Sequence, residues 1–385
     1  MEKSHITISN LSKRFGKKEV LKGIDLTIEK GEYIVILGPT GAGKTTLLKI
    51  IAGLIPPTKG HIMVDNQGTR QDITSLPPES RNLAYLPQTS DYSLFAYKNV
   101  WSNAIFSLKM KGEKSLPEIN TIGNEVLDLV NLRHRYNALP HELSGGMKQR
   151  VALARAIATD ASIFLLDEPL RALDARLRII LRTEIKKLVT DLDKTTFHVT
   201  HDQEEALAVA DRILILNEGR IIQFGTPQEI YQRPNTIFSA YFFGVTNLIP
   251  VSLKEVQEEK VLFSIGKHTI TGLTTYRGTS ETPDVSKDEY VLAIKADGIT
   301  VVPVTETRED GPNEFIGTIK DMYFLGKWSH LIINIETFPK QIVIAIPSTE
   351  MKDFELEYDV TIKIDPEDII HYNEPWDKIK NLEDA

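Results

Sequence analysis

The chain has no cysteine. That excludes disulfides, thiol chemistry and any cysteine-ligated metal, and it suits the cytosol. It also lacks an uninterrupted apolar run of about 18 residues, so no membrane-spanning helix is expected. The opening Met1-Glu2-Lys3-Ser4-His5 begins no signal peptide. Positive charge is not in excess. With 53 acidic against 45 basic residues the net charge is −8, which argues against a nucleic-acid partner. Low-complexity tracts are missing too. What remains is an ordinary mixture, 41% hydrophobic and 25% charged, over 385 residues. That length is too great for one core, and two domains or more are expected.

One stretch carries chemistry of its own. Gly38-Pro39-Thr40-Gly41-Ala42-Gly43-Lys44-Thr45 fits the phosphate-loop pattern G-x-x-x-x-G-K-[ST]. The apolar run Tyr33–Leu37 before it reads as a strand buried on both faces. Thr46 to Ala52 after it reads as a helix, with Gly53 just past its end. Gly38, Gly41 and Gly43 leave room for backbone N–H groups to wrap a polyphosphate, and the helix N-terminus adds partial positive charge. Lys44 can reach the β- and γ-phosphates, and the Thr45 hydroxyl can sit on magnesium.

Other segments gather around this loop. Residues 5–9 and 24–28 alternate like strands, and between them Phe15 follows Lys13 and Arg14. Taken alone, Phe15 reads more readily as a core aromatic than as a platform for a purine ring. Residues 56–80 read as loop, apart from a short strand at 61–64. Leu83–Leu86 is a strand leading to Pro87 and Gln88. That Gln could ligate a metal, hold a water or simply face solvent. Helical periodicity runs from Asn99 to about Arg135. Ser144 then caps a helix from Met147 to Ala158, where Gly145 and Gly146 leave a second anion site open. Ile163–Leu166 is a further buried strand, ending in Asp167 and Glu168. Asp167 can hold magnesium, and Glu168 can polarise an attacking water. A strand at 195–200 delivers His201 to the same edge. Residues 213–216 and 220–224 read as a hairpin around Asn217-Glu218-Gly219. Near residue 240 the character changes to short alternating strands at 261–265, 290–294, 314–319, 331–336, 341–346 and 358–364. Gly266, Gly272, Gly278, Gly298, Gly311-Pro312 and Gly326 punctuate them, as in one or two small barrels.

The order of these motifs resembles the ATPase subunit of an ATP-binding-cassette (ABC) transporter over residues 5 to about 240. Leu143-Ser144-Gly145-Gly146-Met147-Lys148-Gln149-Arg150 matches that family's signature sequence. Gly38–Thr45 matches Walker A and Ile163–Glu168 Walker B. Gln88 matches the Q-loop, Asp174 the D-loop, His201 the switch histidine and Phe15 the adenine-stacking aromatic. Gln203-Glu204-Glu205-Ala206, Gly225–Tyr231 and Arg233-Pro234 look like the importer branch, whose ATPases carry a C-terminal OB-type regulatory domain. Within that branch Gly31–Tyr33, Ile36–Lys44 and Ile73–Glu79 look most like molybdate/tungstate members, with ferric iron and polyamine importers as alternatives.

The expected fold is therefore an α/β P-loop nucleotide-binding domain with a helical insert at roughly 90–160, plus a C-terminal all-β OB-like domain. The boundaries are 1–240 and 241–385. The resemblance implies ATP and Mg2+ as cofactors. It implies a nucleotide site of Phe15, Gly38, Pro39, Thr40, Gly41, Ala42, Gly43, Lys44, Thr45, Thr46, Ser144, Gly145, Gly146 and Asp174. Magnesium would be held by Thr45, Gln88 and Asp167, and chemistry assisted by Glu168, His201 and Gln88. It further implies a homodimer, each chain lending its signature to the other's Walker A, on integral-membrane permease subunits at the cytoplasmic face of the membrane. A solute-binding protein would serve the complex indirectly. A soluble ABC ATPase without a transport role is the rival, but a second cassette or a long coiled-coil insert, which would favour it, is missing. Three departures stand out. Arg171 precedes Ala172-Leu173-Asp174 where relatives usually have a small polar residue. The segment after Gln88 is two residues longer than usual and lacks a Pro-His pair. Lys295-Ala296-Asp297 stands where many relatives have Arg-Pro-Glu.

Overall fold

A computed structural model describes residues 4–66, 68–88, 94–112, 114–159, 161–274, 288–304, 313–374 and 376. Thr89–Ser93 of the segment after Gln88, and the turn residues Gly278, Gly311 and Pro312, lie outside them. The chain forms two compact units, Met1–Ile230 and Tyr231–Ala385. This division lies upstream of residue 240 because the short helix Ile237–Phe242 goes with the second unit. Its Ile237 and Ala240 are buried in one cluster with Leu248, Val291 and Ala293.

The first unit is built on two sheets. In the six-stranded one the order is Arg220–Gly225, Arg212–Asn217, Tyr33–Leu37, Thr195–Val199, Ile163–Asp167, Leu83–Leu86. All neighbours are parallel except the antiparallel edge hairpin of Arg212–Asn217 with Arg220–Gly225. Tyr33–Leu37, Ile163–Asp167 and Thr195–Val199 are buried at every residue, which is why Tyr33–Leu37 and residues 163–166 read as continuous apolar runs. The register aligns Ile36 with Val199 and Val199 with Asp167. Because the strands are parallel, the segments that leave their carboxyl ends emerge side by side.

The four-stranded antiparallel sheet is larger than the alternation suggested. Ser4–Phe15 and Lys18–Glu29 are twelve-residue strands, with irregular register around Asn10 and Lys13 that interrupts their period of two. Lys59–Asn66 and Thr69–Asp72 complete it, so the stretch 56–80 is not mostly loop. Thr69–Asp72 is exposed at every residue, and an edge strand with no buried face leaves no hydrophobic pattern to read. The helical insert comprises Val100–Ala104, Phe106–Lys111, Leu116–Leu129 and Gly145–Ile157. Among the described residues no helix is long and apolar enough to cross a membrane.

The second unit is all antiparallel. One five-stranded sheet runs His268–Leu273, Lys260–Ile265, Thr246–Val256, Glu289–Lys295, Ile369–Tyr372. The other runs Ile299–Pro303, Asp359–Ile364, Glu314–Phe324, Trp328–Asn334, Ile342–Pro347. Their inner faces share one core that includes Phe263, Tyr290, Phe315, Ile333, Ile344 and Ile362. The six expected strands are present, and Thr246–Val256, His268–Leu273, Ile299–Pro303 and Ile369–Tyr372 join them. The architecture is consistent with an OB-like domain.

Candidate active site

The site lies where the parallel strands of the first unit end. After Tyr33–Leu37 the chain turns through Gly38 (φ 153°), Gly41 (φ 84°) and Gly43 (φ 108°) into the helix Lys44–Ile51. A Cβ on Gly38 would run into the Leu216 carbonyl oxygen, and one on Gly43 would come within 2.7 Å of Leu21 Cδ2. The first and last loop glycines are thus required by backbone angle and by space. Ala42 is buried and accepts from Gly219 N–H at 3.1 Å, which ties the loop to the neighbouring hairpin. Pro39 and Thr46 are half-buried and Thr40 is exposed.

Lys44 is buried, and its Nζ donates to the carbonyls of Gly38 (2.7 Å) and Pro39 (2.9 Å). The ammonium thus lies along its own loop. Burial pushes it below its ordinary value, while the charges of Glu168 and Asp167 pull it back up.

Thr45 Oγ1 donates to Asp167 Oδ1 at 3.2 Å, across 122 residues of sequence. The other oxygen, Asp167 Oδ2, is buried with no hydrogen-bond partner. A buried, unpartnered carboxylate oxygen is costly unless a cation answers it. Burial holds the Asp167 carboxyl above its usual range, partly offset by the Thr45 bond. A hydroxyl and a free carboxylate oxygen beside a phosphate loop suit magnesium, an oxygen-seeking cation. The residues present therefore fit a nucleotide with its magnesium.

Glu168 sits at the next position in the left-handed region (φ 51°), its side chain 5% exposed. Its backbone N–H donates to Val199 O at 2.9 Å, and its carbonyl accepts from Gln149 Nε2 at 2.8 Å. The carboxylate gathers three donors. Gln88 Nε2 (2.8 Å) and Arg171 Nη1 (2.8 Å) reach Oε2, and His201 Nε2 pairs with Oε1. Burial pushes the Glu168 carboxyl up, but the bonds from Gln88 and Arg171 and the His201 contact together hold it below its usual range. Gln88, Glu168 and His201 are brought together here, from the ends of three adjacent strands. The Gln88 amide points its nitrogen at Glu168.

The remaining expected residues have local partners. Ser144 Oγ accepts from Met147 N–H at 3.3 Å as a helix cap, and Ser144 and Gly145 are exposed. Asp174 caps Ala175–Asp191 by accepting from Leu177 N–H at 2.9 Å. Among the described residues no hydrogen bond joins Ser144, Gly145 or Gly146 to the phosphate loop of the same chain. Phe15 is 49% exposed, with Lys13 Nζ 4.9 Å from its ring centre, so the core reading does not hold.

Two contributors were not singled out from sequence. Gln149 is buried and spans the turn after Glu168, taking the Glu168 carbonyl with one amide atom and Ala172 N–H (3.0 Å) with the other. Its signal was a polar residue in helical step with buried Ala152, Leu153 and Ala156. Glu205 is buried, accepts from Thr200 Oγ1 at 2.6 Å, and donates its N–H to Asp202 Oδ1 at 3.0 Å. It thereby braces the turn that presents His201.

A phosphate loop, a Walker B carboxylate pair, a glutamine and a histidine at one parallel-sheet edge define a P-loop ATPase of the cassette kind. The family described as ABC transporter matches residues 21–171. The chain is 37% identical over 331 residues to the spermidine/putrescine import ATP-binding protein of Thermotoga maritima, covering 86% of this chain and 87% of that one. It is 35% identical over 360 residues to the Fe(3+) ions import ATP-binding protein of Brucella abortus strain 2308, covering 93% and 95%. A dimeric ATP-binding cassette solved in a post-hydrolysis state with ADP and Pi aligns at TM-score 0.52 and 31% identity, over 58% of this chain and 98% of that one. The chain belongs to the ABC transporter family and is an ATPase.

Proposed function

We propose that this chain is the ATP-hydrolysing subunit of an importer, working as a homodimer on a separate membrane permease at the cytoplasmic face. The observation that carries the catalytic part is the grouping of Gln88, Glu168 and His201 beside an unpartnered Asp167 oxygen and the phosphate loop. Lys44 would leave its loop carbonyls for the β- and γ-phosphates, Thr45 and Asp167 would hold magnesium, and Phe15 would offer its exposed face to adenine. Magnesium, when bound, draws negative charge from the phosphates. Glu168 orients a water and takes its proton as the oxygen bonds to the γ-phosphorus and the bond to the bridging oxygen breaks. His201 contacts the γ-phosphate. Among the described residues Ser144–Gly146 makes no hydrogen bond to the phosphate loop of its own chain, and a two-fold dimer would offer it the partner's. The dimeric state of the solved neighbour supports the dimer itself.

Import is supported by the names of the two relatives. Those names concern polyamines and ferric iron, the alternatives to the molybdate/tungstate expectation, and we favour a cationic cargo of that kind. Calorimetry of the co-purifying solute-binding protein with spermidine, ferric iron and molybdate tests it; binding of molybdate alone would reverse the preference. For catalysis, Glu168→Gln should retain ATP binding and slow turnover by roughly 10²–10⁴-fold. Wild-type turnover in that variant would remove Glu168 from its role.

A further inference from the structure

We propose that Arg171 is a latch on Glu168: in the free chain its guanidinium occupies the carboxylate that a water must reach. The inference rests on the reading of Glu168 as the group that orients that water. Two carboxylate oxygens offer about four acceptor positions. Gln88 and Arg171 take two on Oε2, and His201 takes one on Oε1. The last belongs to a side chain only 5% exposed. That leaves one position on Oε1, and departure of a donor from Oε2 would open a second for a water.

Arg171 is the donor whose departure matters most. Its charge is fixed, and a charge-assisted bond to a buried carboxylate is about twice as strong as a neutral one. It is also free to leave, because its side chain is 66% exposed. The backbone beneath it is pinned. Gln149 bonds both the Glu168 carbonyl and the Ala172 N–H, and Gly146 packs so close to the Ala172 carbonyl that a Cβ there would sit 2.8 Å from it. The latch therefore opens by rotation of one side chain while the turn from Glu168 to Ala172 keeps its shape. Glu168 and Gln88 remain in place to receive the water.

The test compares Arg171→Ser and Arg171→Lys in the full-length chain, each also in a Glu168→Gln background, by steady-state ATP hydrolysis. Arg171→Ser should raise kcat roughly three- to tenfold, a fraction of what a general base contributes. KM for ATP should stay unchanged, because Arg171 bonds to no residue of the phosphate loop. Arg171→Lys, which keeps the charge and loses the fork, should fall between the two. In the Glu168→Gln background Arg171→Ser should change nothing. An unchanged or lower kcat in Arg171→Ser overturns the latch, as does an equal acceleration in the Glu168→Gln background. Wild-type turnover in Glu168→Gln alone is a separate result, which overturns the role of Glu168 and the latch with it.

Discussion

Lys44 shows how a single side chain can be stored before it acts. Its two bonds to the Gly38 and Pro39 carbonyls keep a buried ammonium satisfied without a ligand. The same atom is then the only mobile positive charge the loop can offer a phosphate. Lys44→Ala should weaken ATP binding by about 10- to 100-fold, the worth of a charged hydrogen bond. A titration with fluorescent nucleotide would show this, and equal affinity in both proteins would count against the phosphate-loop role. Glu168 is the other decisive residue. Its left-handed backbone turns the carboxylate out of the strand direction that Asp167 follows, so adjacent acids in sequence face different partners.

At the scale of elements, the close approach of the phosphate loop to the hairpin sets a strict demand. Gly38→Ala would drive a methyl group into the Leu216 carbonyl, so the loop would have to move off the strand Arg212–Asn217. The second unit has its own sensitive joint. Lys295 Nζ donates to Ala240 O (2.7 Å), Phe243 O and Thr246 Oγ1 (3.0 Å), fastening the end of the helix Ile237–Phe242 to the strand Glu289–Lys295. Burial pushes the Lys295 ammonium down to about 8, with Asp297 pulling it up. A lysine whose folded value lies below its unfolded one binds fewer protons when folded. Its cost is full below pH 8 and is relieved as pH rises from 8 toward 10.5. The unit should therefore gain stability over that window, by at most about 3 kcal/mol. Thermal unfolding of wild type and Lys295→Met at pH 7.5, 8.5 and 9.5 checks this. The wild type should gain on the variant with rising pH, and parallel curves would refute the assignment.

For the whole molecule, the question is whether one chain completes a site. Ser144 and the phosphate loop share no hydrogen bond in the single chain, which motivates a mixing experiment. Ser144→Arg and Glu168→Gln proteins, each strongly slowed alone, form heterodimers in which one site carries both lesions and the other neither. Independent sites completed in trans should restore part of the activity on mixing. If activity stays low, either the sites are obligately coupled or each is completed within one chain, and cross-linking between the chains separates these.

Much of this was legible in the residues themselves. The strands Tyr33–Leu37 and Ile163–Asp167, the glycine positions and the change of character into short strands are local patterns. Continuous apolar runs mark strands covered on both faces, and the glycines of the phosphate loop, Gly38, Gly41 and Gly43, mark its positive-φ turns. That Gln88, Glu168 and His201 share one edge follows once those strands are parallel, while their adjacency is set by the strand order. What only the tertiary structure decided lies in contacts between residues far apart in sequence or hidden by irregular geometry. Phe15 stands exposed at the end of a strand whose register shifts interrupt the alternation. Gln149 binds both ends of the Glu168–Ala172 turn from a different helix, a pairing that no periodicity encodes. Arg171 was visible as an unusual residue, but its place on Glu168 required the left-handed turn that carries the side chains of 168 and 171 to the same side. Sequence patterns report which face of an element is buried, whereas the partner of a buried polar atom is set by which elements the fold brings together.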